Sequence, residues 1–557
     1  MLSYAKRENK ILFVSVGYST CHWCHVMAQE AFSDEEVARY LNRHFVSIKV
    51  DREQRSDIDH YLMSFLVASQ GQGGWPLNCF LTSDLKPIYA LTYAPAISHH
   101  GMLGFHTILT KIKEFYDTQA HTLKAFVPPD IKQEETSEED IIDAIGEGFD
   151  SAYGGFGQAQ KFPPHCTLLF MLYYFEVTHD DRLKNMIQKT LDVMYLGGLH
   201  DHLQGGFFRY CIEKKWAIPH FEKMLYDQAM LLWAYSLAFK VFKKLEYRIV
   251  AEKLLACLRE TFQTGDLFCS GYDADTDHRE GATYLWSDEE LRTVLTEIEY
   301  ARLADVYDIS QSGNFENKNH LIKKKNMFLK DIDAKLLKIR KRRRQPFVDR
   351  KIITSWNCLA GIGLVHAYRY LGDTTAFEEA EALLFELLDQ HFVEGQLAHS
   401  SIDGQLQKQE FLQDYAGILL LLSYLHEETK KYENHLHQFY EKLEVFRKEG
   451  AWIEALNPDF IAIRAEAYDH PVPSSRSLAE LALIRTEVLL GKSFTSGKFT
   501  SALASDFLNI AVILSNGLFH IIKTPARISW ADIPINVIQV QGKKLEDCYR
   551  GTCKPFP

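Results

Sequence analysis

The stretch VSVGYSTCHWCHVM, Val14 to Met27, sets Cys21 and Cys24 three positions apart, with His22 between them and His25 directly after. An apolar, β-branched run, ILFVSVGY (11–18), leads in and reads as a buried strand. The strand ends near Tyr18 and a helix starts around Cys21. The first sulfur then meets unpaired backbone N–H groups and the positive end of the helix dipole, and both favour thiolate over thiol. Cys24, one turn later, is placed to resolve a mixed disulfide. His22 adds to this when protonated. Two other readings stand beside the redox pair: two buried structural thiols, and a zinc site built from Cys21, His22, Cys24 and His25. Structural zinc takes two separated ligand pairs, and adjacent residues on one helical turn do not all face one ion. The placement therefore favours redox chemistry, with no metal and no cofactor.

Working outward, HVMAQEAFSDEEVARYLNRHF (25–45) is helical with a capping-box-like restart from Ser33 to Glu36, and FVSIKVD (45–51) is a second strand. DIDHYLMSFLVASQG (57–71) is a helix closed by Gly71. WPLNCFLTSD (75–84) and KPIYALTY (86–93) are two strands, and a helix over 101–117 completes a small α/β domain across 1–119. Pro76 stands directly before a strand among glycines, where a cis-proline facing the cysteine pair is expected. The proline-containing, acidic stretch around 120–137 is a linker.

From 138 to 557 the character changes. Helical patterns follow at 138–150, 166–178, 182–196, 222–243, 246–263, 287–299, 355–371, 375–391, 411–427, 431–447 and 475–490. Loops rich in glycine, aromatics and charge join them. Paired helices of this kind predict an α/α toroid, although no strong sequence repeat accompanies them. The basic run KIRKRRRQPF (338–347) reads as a solvated helix end. The tail has strand-like runs, LNIAVILS and INVIQVQ, and ends in CYRGTC, where Cys548 and Cys553 form a local disulfide or remain structural thiols.

The chain has 557 residues, 46% hydrophobic and 24% charged, with 62 basic and 74 acidic residues and a net charge of −12. That balance disfavours non-specific binding to nucleic acid or anionic membranes. The longest apolar runs are too short for a membrane span, and the N-terminus has no signal-peptide core. The expected location is the cytoplasm. Ten cysteines over this length are no disulfide scaffold, so a close pair points to redox or metal chemistry.

The string VGYSTCHWCHVM, with FVSIKVDRE and GQGGWPLNCFLT, resembles a known family. Its members join a thioredoxin-like domain to an α/α six-hairpin toroid similar to those of glycosidases and N-acylglucosamine epimerases. The family includes the animal spermatogenesis-associated thioredoxin-like protein and bacterial homologues. The resemblance continues in order through YGGFGQAQKFP (153–163), GGLHDHLQGGFFRY (197–210), WAIPHFEKMLYDQA (216–229), YDADTDHREGATYLW (272–286), GNFENKN (313–319), KIITSWN (351–357), QDYAG (413–417) and CYRGTC. It implies a multidomain α/β plus all-α protein: an N-terminal thioredoxin-like domain followed by an α/α six-hairpin toroid. The departures are a short lead-in before Ile11, LTYAP (91–95), PSSRS (473–477), Gln204 for a usual glycine and Phe208 for a usual histidine.

A sugar-processing toroid needs carboxylates and histidines around one cavity, and aromatic faces for sugar rings. The catalytic candidates are Asp201, His202, His220, Glu222, Asp227, Asp273, Asp275 and Glu280. The substrate-binding candidates are Lys223, Tyr226, Trp356, Asn357, Asp414 and Tyr415. Glu222, Lys223 and Asp227 are expected to begin one long helix after Pro219. Acidic residues at helix starts also serve as caps and dipole partners. DADTDHREG is an acidic loop without EF-hand spacing.

The expected function is thiol–disulfide redox chemistry, with Cys21 attacking, Cys24 resolving and Pro76 orienting the substrate, fused to a carbohydrate-enzyme-like toroid. One alternative is a hydrolase- or epimerase-type enzyme with a regulatory thioredoxin-like domain. The other is a non-enzymatic redox-sensing binding protein. The partners expected are a protein thiol or disulfide and a sugar-like small molecule, with neither nucleic acid nor membrane.

Overall fold

The apolar run ahead of the cysteines is strand β1 (Ile11–Gly17), buried from Ile11 to Val16. Helix α1 (Leu2–Arg7) precedes it. The chain continues through α2 (His22–Gln29), α3 (Glu35–His44), β2 (Phe45–Asp51), α4 (Ser56–Gln70), β3 (Leu77–Leu81), β4 (Pro87–Leu91) and α5 (Phe105–Gln119). β2 pairs parallel to β1, with Ile11 opposite Phe45, and β3 pairs antiparallel on the other side, giving the order β2-β1-β3-β4. Alternate β1 side chains serve two cores. Ile11 and Phe13 join Met27, Val37, Phe105 and Leu109 from α2, α3 and α5. Leu12, Val14 and Val16 join Ala5 of α1 and Tyr61, Leu62 and Leu66 of α4. A strand covered on both faces needs few polar positions, which is why the run is apolar except for Ser15, whose hydroxyl accepts Lys49 Nζ at 3.2 Å.

The helix expected over 25–45 is two helices. Asp34, not Ser33, caps the second: its Oδ1 accepts the N–H groups of Glu36 and Val37 at 2.9 Å each. The Ser33 hydroxyl donates back to the Ala28 carbonyl at 2.7 Å. Gly71 closes α4 at φ 77°.

The computed structural model describes residues 1–557 apart from 99–100, 130–135, 158, 470, 493–509, 511–518, 550–551 and 557. It divides into two units, 1–132 with Asn457–Ile463, and 133–456 with Arg464–Pro557. The distal segment is part of the first unit's own structure. Phe460, Ile461 and Ile463 pack on the α4 face, and the Phe460 ring lies edge-on to Tyr61 at 5.8 Å. Arg55 forks onto Asp57 with two bonds of 2.9 Å and also reaches Asp459.

The second unit is helical. It runs through α6 (Glu138–Gly148), α7 (His165–Thr178), α8 (Asp181–Leu196), α9 (Leu225–Phe242) and α10 (Leu245–Cys257). Next come α11 (Asp288–Val294), α12 (Glu297–Val306), α13 (Lys330–Arg340), α14 (Thr354–Leu371) and α15 (Thr374–His391). Then follow α16 (Leu412–Thr429), α17 (Glu433–Glu444) and α18 (Ser475–Leu489). α7, α9, α14, α16 and α18 pack each against the next, and α8, α10, α15 and α17 back the first four. Burial explains the sorting. α9 is buried without a break from Leu225 to Ala238, whereas α8, α15 and α17 each bury one stripe. This is the inner and outer helix arrangement of an α/α toroid.

A structural repeat underlies it. After α10, α15 and α17 the chain makes a two-stranded hairpin with a two-residue loop: Gln263–Thr264 with Leu267–Phe268, Phe392–Val393 with Gln396–Leu397, and Arg447–Lys448 with Ala451–Trp452. Each holds a glycine at positive φ, namely Gly265, Gly395 and Gly450. With so little of each turn fixed in residue type, the repeat escapes notice in the sequence.

α13 was not expected. With α11 and α12 it builds a satellite core around Trp286, Leu303, Tyr307, Ile332 and Leu336. The basic run that ends α13 is not simply solvated. Arg340 is buried, and Arg343 lies over the Trp286 ring at 3.8 Å while donating to the Thr283 and Leu285 carbonyls.

In the tail, Val537–Gln541 and His520–Thr524 pair in parallel, and Glu546–Tyr549 and Thr552–Pro555 complete a four-stranded sheet. The strand expected at LNIAVILS lies outside the described residues, Ile510 excepted. Cys548 and Cys553 are cross-strand partners and form a disulfide.

Candidate functional site

In the first unit Cys21 is the N-cap of α2, and its Sγ accepts the Cys24 N–H at 3.2 Å. The two cysteines form a disulfide. Gly17, the last residue of β1, makes room for it: a Cβ there would lie 2.9 Å from the Cys24 sulfur. Pro76 follows a cis peptide bond from Trp75 and immediately precedes β3, whose Leu77 is opposite Val16. The strand ladder thus brings the proline beside the end of β1, where the cysteines begin.

Both cysteines are buried, together with Tyr18, against Trp75. An exposed attacking thiol was expected at Cys21, but in the disulfide form it keeps only 3% of its surface exposed and Cys24 8%, because Tyr18 and Trp75 cover the pair. Trp75 is fixed in turn, because its Nε1 donates to Asp59 Oδ1 at 2.7 Å. Arg52 Nε donates to the other Asp59 oxygen at 3.2 Å, and its guanidinium lies 3.9 Å from the Trp75 ring centroid. The exposed aromatic here is Trp23, packed against His22 and Tyr93. His25 shares a hydrogen bond with the Ser19 carbonyl at 2.9 Å.

In the second unit the inner helices start at one end. His165, first in α7, lies 3.2 Å from Asp227 in the first turn of α9. Tyr226 meets Trp356 of α14 edge-on at 4.8 Å, and the Ser355 N–H donates to Asp414 of α16 at 3.1 Å. Glu454 accepts the Leu412 N–H through its carbonyl and the Ser475 hydroxyl through its carboxylate, tying α16 to α18. Five helix N-termini therefore gather together, an electropositive setting for acidic side chains.

Three imidazole–carboxylate pairs stand at this end: His165 with Asp227, His399 with Asp414 at 2.7 Å, and His220 with Glu280. Burial pushes the Asp227 and Asp414 carboxyls up, and the histidines oppose it in part. Tyr210 packs on His220 and stacks on the half-exposed Phe162 at 4.5 Å.

Glu222 and Lys223 precede α9 rather than opening it, because the helix begins at Leu225. Glu222 accepts Arg209 Nη1 at 3.1 Å. Asp201 takes Lys223 Nζ at 2.7 Å, both Arg340 terminal nitrogens at 2.8 and 2.7 Å, and the N–H groups of Leu203 and Gln204. Burial works against its charge, but Arg340 and Lys223 prevail and hold the carboxyl well below the usual range. Such a saturated carboxylate is a poor proton acceptor. His202 bonds the Gly197 carbonyl at 3.0 Å and His200 at 3.3 Å, and burial pushes its imidazole well down.

Asp201, His202, Phe208, Tyr284, His320 and Arg340 line a void of about 10 Å³. That is room for one water and not for a sugar ring. Phe208 lies in an aromatic box, 5.1 Å from Phe221 and 4.9 Å from Tyr284.

The DADTDHREG stretch is a hairpin, Asp275–Thr276 with Arg279–Glu280, turning through Asp277 and His278 at positive φ. Asp273 Oδ1 accepts the Asp275 N–H at 3.1 Å, an internal turn contact. Asn357 bonds Phe268 and Ile353 backbone, and the Tyr415 hydroxyl accepts the Leu397 N–H at 3.0 Å and donates to Glu410. The sequence reasoning missed His165, Arg209, His320, Arg340 and His399. His165 carried a signal, standing at a helix start behind two prolines; Arg340 carried none, being 139 residues from its partner Asp201.

An α/β unit built around a helix-capping cysteine pair with a neighbouring cis-proline, on one chain with an α/α toroid, defines a thioredoxin-like fusion protein. Residues 1–131 match the thioredoxin-like DsbH family model, described as a protein of unknown function, DUF255. An uncharacterized protein of Caenorhabditis elegans, B0495.5, is 34% identical over 559 residues, 88% of this chain and 76% of that one. Human spermatogenesis-associated protein 20 is 35% identical over 431 residues, 66% of this chain and 55% of its own length. The chain belongs to the family of these proteins, and it spans about half the length of the human member. A solved D-mannose isomerase aligns over 73% of this chain and 93% of its own at 11% identity, with a TM-score of 0.43. No helix among the described residues is long and apolar enough to cross a membrane.

Proposed function

We propose that the Cys21–Cys24 pair carries out thiol–disulfide exchange. The observation that carries this reading is the Cys21 sulfur at the N-cap of α2, accepting the Cys24 N–H at 3.2 Å. A sulfur that takes a backbone N–H at a helix N-terminus is stabilised as thiolate, the nucleophilic form. Cys21 attacks the substrate disulfide, Cys24 then displaces the substrate from Cys21, and Pro76 orients the substrate chain beside β1. A reducing compartment such as the cytoplasm supplies the dithiol that recycles the pair. The test is reduction of a protein disulfide by wild type, Cys21→Ser and Cys24→Ser, with alkylation of the reduced protein to rank the two thiols. Loss of turnover in both variants with faster alkylation of Cys21 is expected. Equal turnover in wild type and Cys21→Ser discards the reading.

A second reading concerns the toroid. Three imidazole–carboxylate pairs at the gathered helix N-termini favour acid–base chemistry on a polar, sugar-like molecule, with the Phe162–Tyr210 stack as an aromatic face. Turnover of a sugar panel that falls in both Asp227→Asn and His399→Gln supports it. Activity that survives both changes removes the site.

A further inference from the structure

Arg52 is more than packing for Trp75. Its backbone N–H donates to the Gly17 carbonyl at 2.9 Å, which anchors it at the end of β1 beside the cysteine pair. Its guanidinium lies 3.9 Å from the Trp75 centroid and 5.7 Å from the Tyr18 centroid, and both residues pack in one cluster with the two cysteines. Asp59 takes only Nε, at 3.2 Å. Among the described residues no hydrogen bond is made by the two terminal nitrogens, and the side chain keeps 19% of its surface exposed. A guanidinium held by a ring and a carboxylate has already lost its rotamer freedom, so its remaining N–H fork is preorganised for a carboxylate. The chain as a whole carries −12 and repels anions at long range, so any preference for an anionic substrate has to be local.

We infer that Arg52 selects disulfides that carry a carboxylate near the sulfur, and that it does so for the exchange reaction proposed above, on which this inference rests. The source is either a small acidic peptide disulfide such as glutathione disulfide or a polypeptide disulfide flanked by acidic residues. The Cys21 thiolate attacks one substrate sulfur, the substrate S–S bond breaks, and one substrate thiolate leaves and takes up a proton. Cys24, deprotonated, then attacks Cys21 Sγ and expels the second substrate thiolate. The protein dithiol loses two electrons and the substrate gains them.

The experiment is a single turnover of the full chain, pre-reduced with a dithiol and desalted. It is mixed with glutathione disulfide, its ethyl ester, cystamine, and a short peptide disulfide flanked by glutamates or by glutamines. Wild type is expected to prefer the carboxylate form over its neutral counterpart by about tenfold, the value of one charge-assisted pair. The ratio collapses towards one in Arg52→Gln and is partly kept in Arg52→Lys, which a purely structural role of Arg52 would not produce. A preference confined to glutathione or to the peptides identifies the source. Equal wild-type rates for charged and neutral forms, or a ratio intact in Arg52→Gln, overturns the inference and leaves the exchange reading standing. Reaction with none of these disulfides removes both.

Discussion

Asn357 grips the backbone of Phe268 from both sides: Oδ1 accepts its N–H at 2.8 Å, and Nδ2 donates to its carbonyl at 3.0 Å. Gln228 treats Phe207 in the same way, at 2.7 and 2.8 Å. Each is the fourth residue of an inner helix, and each also bonds the carbonyl just before that helix, of Ile353 and Met224 respectively. The two amides tie an inner helix to a preceding segment, and all their polar atoms are engaged. Asn357→Leu is therefore expected to strand buried backbone groups and cost about 2–4 kcal/mol. Urea unfolding checks this, and an unchanged midpoint refutes the clamp.

Asp201 neutralises two buried cations. Asp201→Asn leaves Lys223 and Arg340 without their shared anion, and about 3–5 kcal/mol of stability is expected to go. The folded carboxyl lies well below its ordinary value, so its contribution is present above the unfolded pKa of about 4 and disappears as pH falls through the folded value. Stability of wild type and variant should converge at strongly acid pH. A constant gap from neutral pH to pH of about 3 would contradict this.

His366 lies parallel to Trp233 at 4.9 Å and to Tyr370 at 5.8 Å, and edge-on to Tyr424. Burial pushes its imidazole well down, and Arg369 and Arg485 push the same way. The native state holds it neutral while the unfolded chain protonates near pH 6.5, so stability falls as pH drops below that point, by about 1.4 kcal/mol per unit for this one group. His366→Phe keeps the aromatic stack and is expected to reduce the slope between about 6.5 and 5 by that one group's share, the other buried histidines such as His202 keeping theirs. The same slope in the variant would exclude His366 as a source.

Gly17→Ala places a Cβ 2.9 Å from the Cys24 sulfur. Overpacking of this kind costs about 1–3 kcal/mol, and here it falls on the resolving cysteine. In the exchange assay the mixed disulfide on Cys21 should accumulate, visible by mass spectrometry after acid quench. Resolution at the wild-type rate would show that Cys24 tolerates the shift.

The first unit was legible because its signals are local. The apolar run of β1, the cysteines at a helix start and the proline ahead of β3 each lie within a few residues of the element they specify. The inner helices were legible by their length and continuous apolarity. The polar site was not, because its partners meet through the fold. Asp201 waits for Arg340 139 residues on, and Asp227 for His165, which precedes it by more than one hairpin. Residue type marked Asp201, Asn357 and Tyr415 as chemically interesting, but only their neighbours reveal how fully their atoms are engaged. Asp277 and His278 turn a hairpin at positive φ without glycine; both residue types tolerate that conformation, but the glycine that marks such turns most strongly is missing.

Phe460 and Asp459 belong to the thioredoxin-like unit although the chain reaches them only after most of the toroid has been made. During synthesis the α4 face, covered in part by Phe126 beside Tyr61 and Phe65, stays incomplete until that segment emerges from the ribosome, so the first unit to be started is among the last to be finished. A fragment cut at the linker would carry a permanently unfinished wall. Gene fusion and domain shuffling have no single breakpoint here that separates the two halves intact.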